Sequence, residues 1–524
     1  MALTNDYSGR TLHGQKRDYH LEAPLHGGSG GEGCIYTLKG DSSLVAKIYH
    51  EDRYVKAPHD RAYQKRKLEA MLKLKFDPRY QGSWCFAWPQ DILLDQGRMV
   101  GYVMPRINTR YMLNSVYNDT RAQMFPHWTW RTMTQVAYNL SVNIASLHRS
   151  GIVAGDLNPA NMMVDPRNHL VVMIDCDSYD VYDPDTQEHF PCMVGTAEVL
   201  APELQMVGDL SSPKARFTKE SDCFSLAVLI FKLLMNGYDP FAKRSLNPNR
   251  SSAALTGANV DILTGASIYV KQIPGKARPV GAPDFSILPQ EIQDLFRKVF
   301  LYGPYPDFMQ KIALRPSAAQ WCAALDRMYL SMDESKGQMV KCRVNEHHLY
   351  PKGLSSCPWC RAQKELDDAM KQMFPNAPAA QTLPAGPAGS PGGTPATAGT
   401  VSGVQRSPWL FLFLMAGCSI LGAVLFGPAM ADSLSVDGLG ASDMQLIIGL
   451  VGCVISTLIA AHYWKRYPGA ASVWPYWMFG LSMILLAPLT VLVLAGLIAL
   501  VLEILKIIFL CIFALGLLSS LCGG

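Results

Sequence analysis

The last 116 residues of this 524-residue chain cannot share one water-soluble core with the rest. Trp409–Met430 and Met444–Trp464 are apolar runs of 22 and 21 residues, and about 20 apolar residues suffice for a helix to cross a bilayer. Residues 476–522 continue in the same vein, broken only by Pro488, Glu503 and Lys506. That stretch is too long for one helix, so two spans are expected there, near Tyr476–Leu497 and Ile498–Cys522. Glu503 and Lys506 lie three apart and can pair on one helical face, easing a penalty of ~2.5–3.5 kcal/mol for a lone charge at midspan. Ahead of the spans, residues 374–406 are rich in Ala, Pro, Gly, Thr and Ser, with Arg406 the only charged residue. Such a segment has too few large apolar side chains to build a core and reads as a disordered tether. The soluble part therefore ends near Met373.

Charge sets the orientation. Arg406 precedes the first run and Lys465 and Arg466 follow the second, whereas the loop between them carries Asp432, Asp437 and Asp443 and no Lys or Arg. Basic flanks favour the cytoplasmic side, so the soluble part is expected in the cytoplasm and the chain in the inner (cytoplasmic) membrane as a multi-pass protein. Residues 1–20 are polar and lack the apolar core of a signal peptide, so the 13 cysteines are not read as a disulfide framework. A net charge of +4 gives no large field to attract nucleic acid.

The chemistry lies in the soluble part. Gly155-Asp156-Leu157-Asn158-Pro159-Ala160-Asn161 is followed by the hydrophobic run Leu170–Ile174, which ends at Asp175. Asp156, Asn161 and Asp175 form a three-part oxygen set that can accept a hydroxyl proton and hold Mg²⁺ against nucleotide phosphates. Taken alone, the first segment is also a plausible Asx-rich turn. Upstream, Gly28, Gly30, Gly33 and Ile35 fit G-x-G-x-x-G-x-[VI], a turn whose glycines let backbone amides lie over phosphates. Leu44–Tyr49 reads as a buried strand with one charge in it, Lys47, and such an ammonium needs a partner or a phosphate. Arg61–Leu74 has helical spacing and carries Glu69, the expected ion-pair partner. Met99–Met104 is an apolar strand closed by Pro105, a hinge between two lobes, and Trp130–His148 has helix periodicity.

These motifs resemble the eukaryotic-like protein kinases over roughly residues 21–330, with residues 1–20 as an extension. The resemblance implies an α+β bilobal fold, ATP and Mg²⁺ as cofactors, and a protein serine/threonine substrate. Asp156 and Asn161 match the catalytic-loop pair, Lys47 the phosphate-binding lysine, and Asp175 the D-F-G aspartate. Ala201-Pro202-Glu203 resembles the A-P-E motif, Arg315 the arginine that pairs with its Glu, and Asp222 the buried Asp of the large lobe. Departures are informative. H-R-D reads Ala154-Gly155-Asp156, which removes the arginine that would bind a phosphorylated activation loop. Asn158 replaces a lysine beside the transferring phosphate, and D-F-G reads Asp175-Cys176-Asp177, making Asp177 a second Mg²⁺ ligand or, alternatively, the true one. The match is nearest to the bacterial kinase-like family with G-D-[LIV]-N-x-x-N and D-x-D-S-[FY]. Partners implied by that resemblance are a metal-dependent phosphatase and a von Willebrand A-type protein. The alternative is a pseudokinase that binds ATP as a membrane scaffold.

A small metal knuckle is expected over residues 338–364. Cys357-Pro358-Trp359-Cys360 presents two thiolates to one ion, and Cys342 with one histidine completes a tetrahedral Cys₃His set suited to structural Zn²⁺. The family pattern points to His348, with His347 as the other candidate. Cys176, where D-F-G has its Phe, is the remaining cysteine to watch.

Overall fold

The computed structural model describes residues 6–29, 32–51, 60–118, 121–246 and 258–373. The chain divides into Met1–Thr382 and Leu383–Gly524. The expected tether and membrane spans lie outside the described residues, and among these no helix is long and apolar enough to cross a membrane.

The small lobe is a closed six-stranded barrel. Its strands are β1 (Thr11–His13), β2 (Asp18–Ser29), β3 (Gly33–Leu38), β4 (Asp41–Tyr49), β5 (Asp91–Asp95) and β6 (Arg98–Pro105). They run in the order β1-β2-β3-β4-β6-β5, and His13 pairs Leu94 to close the ring. Alternate side chains fill the interior, among them Leu12, Tyr19, Leu21, Tyr36, Ile48, Leu93 and Val103. The lobe starts earlier than the sequence suggests. Residues 11–13 and 18–20 belong to the sheet rather than to an extension. Asp91, fully buried, explains why. It accepts the N–H groups of Gln15 and Lys16, both at 2.9 Å, and the Tyr19 hydroxyl at 3.1 Å, fastening the first hairpin to the barrel. α1 (Arg61–Lys73) lies against this lobe, capped by Asp60 accepting from the Tyr63 N–H.

The large lobe is helical. α2 (Trp130–Arg149), α3 (Lys219–Leu234) and α4 (Ala318–Ser331) each begin with a reciprocal cap, Thr129/Thr132, Thr218/Ser221 and Ser317/Gln320. α3 is buried along almost its whole length. Its Phe224 and Phe231 stack among Phe241, Phe296 and Phe300, with Trp321 of α4 against Phe296. Helix α5 (Pro358–Met373) follows the knuckle and is clamped to this lobe by a two-pronged Arg278–Glu365 pair.

Two buried polar clusters fix the loops that carry the site. Asp222, wholly buried near the start of α3, accepts the Ala154 N–H at 2.7 Å and the Gly155 N–H at 2.9 Å, and lies 3.0 Å from His148 Nε2. Arg315 makes a fork to Glu203 at 2.6 and 2.7 Å and sits over the Phe224 ring. Because that pair is buried, removing one partner strands the other charge. Arg315→Ala should destabilise the Met1–Thr382 unit by about 3–5 kcal/mol in urea unfolding, and the double replacement Arg315→Met/Glu203→Met should cost less than the single one.

Candidate active site

The cleft is built from two sides. On the small-lobe side, β2 ends at Ser29 and β3 starts at Gly33, so the glycine-rich segment joins these two strands, with Gly28 near the end of β2. Gly30 lies outside the described residues. A side chain at Gly33 would come within 2.4 Å of the Ile48 carbonyl oxygen, so the close approach of β3 and β4 requires glycine there. Ile35 is half-buried and pairs in register with Lys47, which in turn pairs with Tyr102 on β6.

Lys47 gathers three carboxylates. Its Nζ lies 2.6 Å from Asp175 Oδ1, 2.8 Å from Asp177 Oδ1 and 3.5 Å from Glu32 Oε2. Burial works to lower the ammonium's pKa, but Asp177, Asp175, Tyr49 and Glu32 together carry it well above the usual lysine value. Lys47 therefore stays charged. Glu69, the partner expected from sequence, is not among them. It faces Lys65 at 3.6 Å on the outer side of α1. The inward face of α1 carries Gln64, Lys67, Leu68 and Met71 instead.

On the large-lobe side, two short antiparallel strands, Met162–Val164 and Val171–Met173, frame the catalytic loop. The Ile174 N–H donates to the Asn161 carbonyl at 2.9 Å, setting Asn161 beside the residue that precedes Asp175. Asp175 itself adopts a left-handed conformation (φ 60°), which Asp tolerates better than most residues. Its own carbonyl accepts the Ser178 hydroxyl at 2.8 Å. Asp156 accepts the Thr196 N–H at 2.8 Å, and burial raises its carboxyl above the ordinary value despite that bond. Asn158 turns inward on its own loop, accepting the Ala160 N–H at 2.9 Å as a helix cap.

Gly155 has φ +75°, and a Cβ there would press within 2.6 Å of Cys192. The site where H-R-D has its arginine is thus closed by the large-lobe core. Cys176 is fully buried, and burial pushes its thiol far up, which makes it inert rather than reactive.

Asp177, the second candidate Mg²⁺ ligand, lies deeper than Asp175. It is 1% exposed, and its two oxygens accept from Lys47, from Tyr49 OH at 2.6 Å and from Tyr102 OH at 2.9 Å. Oxygens of Glu32, Asp175 and Asp177 do lie within 4.8 Å of one another. The Lys47 ammonium, however, holds the centre of that group, and a cation ligated by Asp177 would have to displace it. In this arrangement Asp177 pairs with the lysine, and Asp175 is the more exposed of the two. Tyr49, Tyr102 and Gln64 were not singled out from the sequence. The only signal for Tyr49 was its place two residues after Lys47, on the same face of β4.

Comparison with known proteins agrees with this geometry. Residues 99–300 match the protein kinase domain family. The chain is 31% identical over 338 residues to Protein kinase YegI of Escherichia coli K12, an alignment covering 64% of this chain and 47% of that protein. It is 26% identical over 158 residues to the human eIF-2-alpha kinase GCN2, covering 26% of this chain and 9% of that protein. The chain thus spans about half the length of the YegI proteins it matches. The family match lies within the two-lobed unit, from the last barrel strand to the end of the helix at Gln290–Phe300. The family match starts at β6, so the glycine-rich turn and Lys47 precede it.

A second cluster lies in the knuckle. The strands Met339–Lys341 and Leu349–Pro351 form a hairpin, and Cys357 and Cys360 sit at the start of α5. Ligand atoms of Cys342, His348, Cys357 and Cys360 all lie within 4.8 Å of one another. Cys342 Sγ is 3.5 Å from Cys360 Sγ, and His348 Nδ1 is 3.4 Å from Cys360 Sγ and 3.7 Å from Cys357 Sγ. Tetrahedral thiolates at the usual bond length are about 3.8 Å apart, so one ion fits all four. The Val344 N–H supports Cys342 Sγ at 3.3 Å. His347 points elsewhere, against the His127 ring and Glu346. The knuckle is tied to the large lobe by Trp359, whose ring meets Trp130 and whose Nε1 donates to the Leu349 carbonyl. The purified protein should therefore carry about one tightly held metal ion per chain by elemental analysis. Cys357→Ser should release it and lower thermal stability, since metal binding and folding are coupled; His347→Ala should keep it.

Proposed function

We propose that this chain is a membrane-anchored serine/threonine protein kinase that transfers the γ-phosphoryl group of ATP to a protein hydroxyl. One observation carries the reading: the Lys47 ammonium of the small lobe meets the Asp175 carboxylate of the large lobe at 2.6 Å across the cleft. A cation for phosphates and an anion for a metal thus sit side by side under the glycine-rich turn. Lys47 would bind the α/β-phosphates beneath Gly28–Gly33, and Asp175 with Asn161 would hold Mg²⁺, which neutralises charge on the phosphates when bound. Asp156 would orient the substrate hydroxyl and take its proton. Its raised pKa makes it a better base than an exposed carboxylate. The S₃N donor set of the knuckle suits Zn²⁺ in a structural role.

Supporting a membrane anchor are the apolar runs beyond residue 409 and their basic cytoplasmic flanks. A cytoplasmic kinase domain would have access to ATP there. The metal-dependent phosphatase and von Willebrand A-type protein stand as proposed partners on resemblance alone. Asn158 supports a second reading, an ATP-binding scaffold without transfer, because its side chain caps its own turn where kinases carry a cation.

Labelled ATP and Mg²⁺ decide between them. Asp156→Asn should lower phosphoryl transfer by about 10²–10⁴-fold, the usual contribution of a general base, while nucleotide binding stays nearly intact. Asp175→Asn should abolish Mg²⁺-dependent binding. Equal loss of binding in both variants would refute the roles assigned, and a wild type that binds ATP yet phosphorylates neither itself nor added proteins would establish the scaffold. Activity should also depend on pH in a defined direction. The base works only when ionised, and burial raises its folded pKa, so the rate should fall with acid at a pH above the ordinary carboxylate value of 3.8.

A further inference from the structure

We propose that Asp177 is the positioning residue for Lys47, doing from the large-lobe loop what an acidic residue on α1 was expected to do. The inference deepens the kinase reading, and its consequence for phosphate binding rests on that reading. Three carboxylates approach the Lys47 ammonium, and they are not equivalent. Glu32 lies in the glycine-rich turn with 42% of its side chain exposed, and Asp175 has 34% exposed. Both face the cleft, where phosphates and a metal would compete for them. Asp177 has none of its side chain exposed.

Its immobilisation comes from three small-lobe elements. Lys47 Nζ reaches both Asp177 oxygens, at 2.8 and 3.1 Å. Tyr49 of β4 donates to Oδ2 and Tyr102 of β6 to Oδ1. Gln64 of α1 then donates to the Tyr49 hydroxyl at 2.9 Å. A buried ammonium needs a fixed, hydrogen-bonded counter-charge to remain in place, and this carboxylate supplies one that a ligand in the cleft does not displace. The part of α1 that faces this network carries the neutral Gln64, while Glu69 points to Lys65. No acidic side chain of α1 lies among the carboxylates described around Lys47, and the Gln64–Tyr49 hydrogen bond links that helix to the network.

The test uses the full-length chain in detergent micelles and two readouts. One is the rate at which the Lys47 amine is reductively methylated without nucleotide, followed by peptide mass spectrometry. The other is MgATP affinity from displacement of a fluorescent ATP analogue. Asp177→Asn should speed Lys47 labelling by roughly tenfold or more, because the buried amine loses the fixed carboxylate that holds both its position and its charge. It should weaken MgATP binding in parallel, and Asp177→Glu should restore part of both. Tyr102→Phe, which removes one donor and keeps the ring, should move labelling in the same direction by less. It serves as the test if the Asn variant does not fold. Glu69→Gln should change neither readout. Labelling that rises with Glu69→Gln, or stays flat in both Asp177→Asn and Tyr102→Phe, overturns the proposal. If wild type binds no MgATP while Asp177→Asn still frees Lys47, the nucleotide reading fails and the pairing stands.

Discussion

A single buried cation organises the space between the lobes. Lys47 sits on a strand of a closed barrel with only 8% of its side chain exposed. Taking an ammonium out of water costs several kcal/mol, and attraction repays this only when the counter-charges are close and themselves hydrogen-bonded. The molecule meets that requirement by sending a loop of the large lobe into the small one. Asp175 and Asp177 reach Lys47 from the far side of the cleft, and Tyr49 and Tyr102 complete the hydrogen bonding of Asp177. The strand that carries the lysine and the loop that carries Asp175 and Asp177 are thereby held in one electrostatic unit. Asp222 does similar work below, fixing the Ala154 and Gly155 amides so that Asp156 emerges at a set place.

Much of this was legible in the sequence because the chemistry depends on short-range spacing. A charged residue inside an apolar strand, an Asp and an Asn five apart on a loop, and a C-P-W-C pair behind a lone Cys and a His are all local patterns. The structure brings Lys47 to Asp175 and gathers Cys342, His348, Cys357 and Cys360 into one cluster. Other contacts depend on distant pairings that no local pattern encodes. Asp91 anchors a hairpin some 75 positions earlier, which is why residues 11–20 looked like an extension. Tyr102 reaches Asp177 only because β6 lies beside β4 in a particular register.

The error at Glu69 has a more instructive cause. Helical phase was available from the sequence: Gln64, Leu68 and Met71 recur at the spacing of one buried stripe. Glu69 follows Leu68 by one position, about 100° around the helix at 3.6 residues per turn. A partner for a buried lysine had to lie on the stripe, and the stripe holds Gln64 and Lys67 rather than an acid. Charge complementarity suggested a pair that geometry forbids. Asp177 stands within metal-binding reach of Asp175 and Glu32, as a second acid beside Asp175 suggested, and burial and two tyrosine hydroxyls also tie it to the lysine.

Freed from holding Lys47, α1 is tied to the segment that follows the metal loop. Arg66 makes a two-pronged pair with Glu188, and Lys73 lies 3.5 Å from Asp183 and 3.7 Å from Asp185. Arg66 and Lys73 are exposed although Asp183 is buried, and pairs with an exposed partner contribute about 0–1 kcal/mol each, so they set direction more than they add strength. The firmer hold is the Tyr63 ring against Phe190, whose hairpin pairs Val181–Tyr182 with His189–Phe190. Gly155, pressed against Cys192, leaves no side chain beside Asp156 to bind a phosphate on that segment. In this arrangement the segment is placed by packing on α1 and by carboxylates already in the chain, Glu188 and Asp183, which pair with Arg66 and Lys73. Order in the segment is thus built into the unmodified sequence, through the same helix whose acidic residue the lysine does not use.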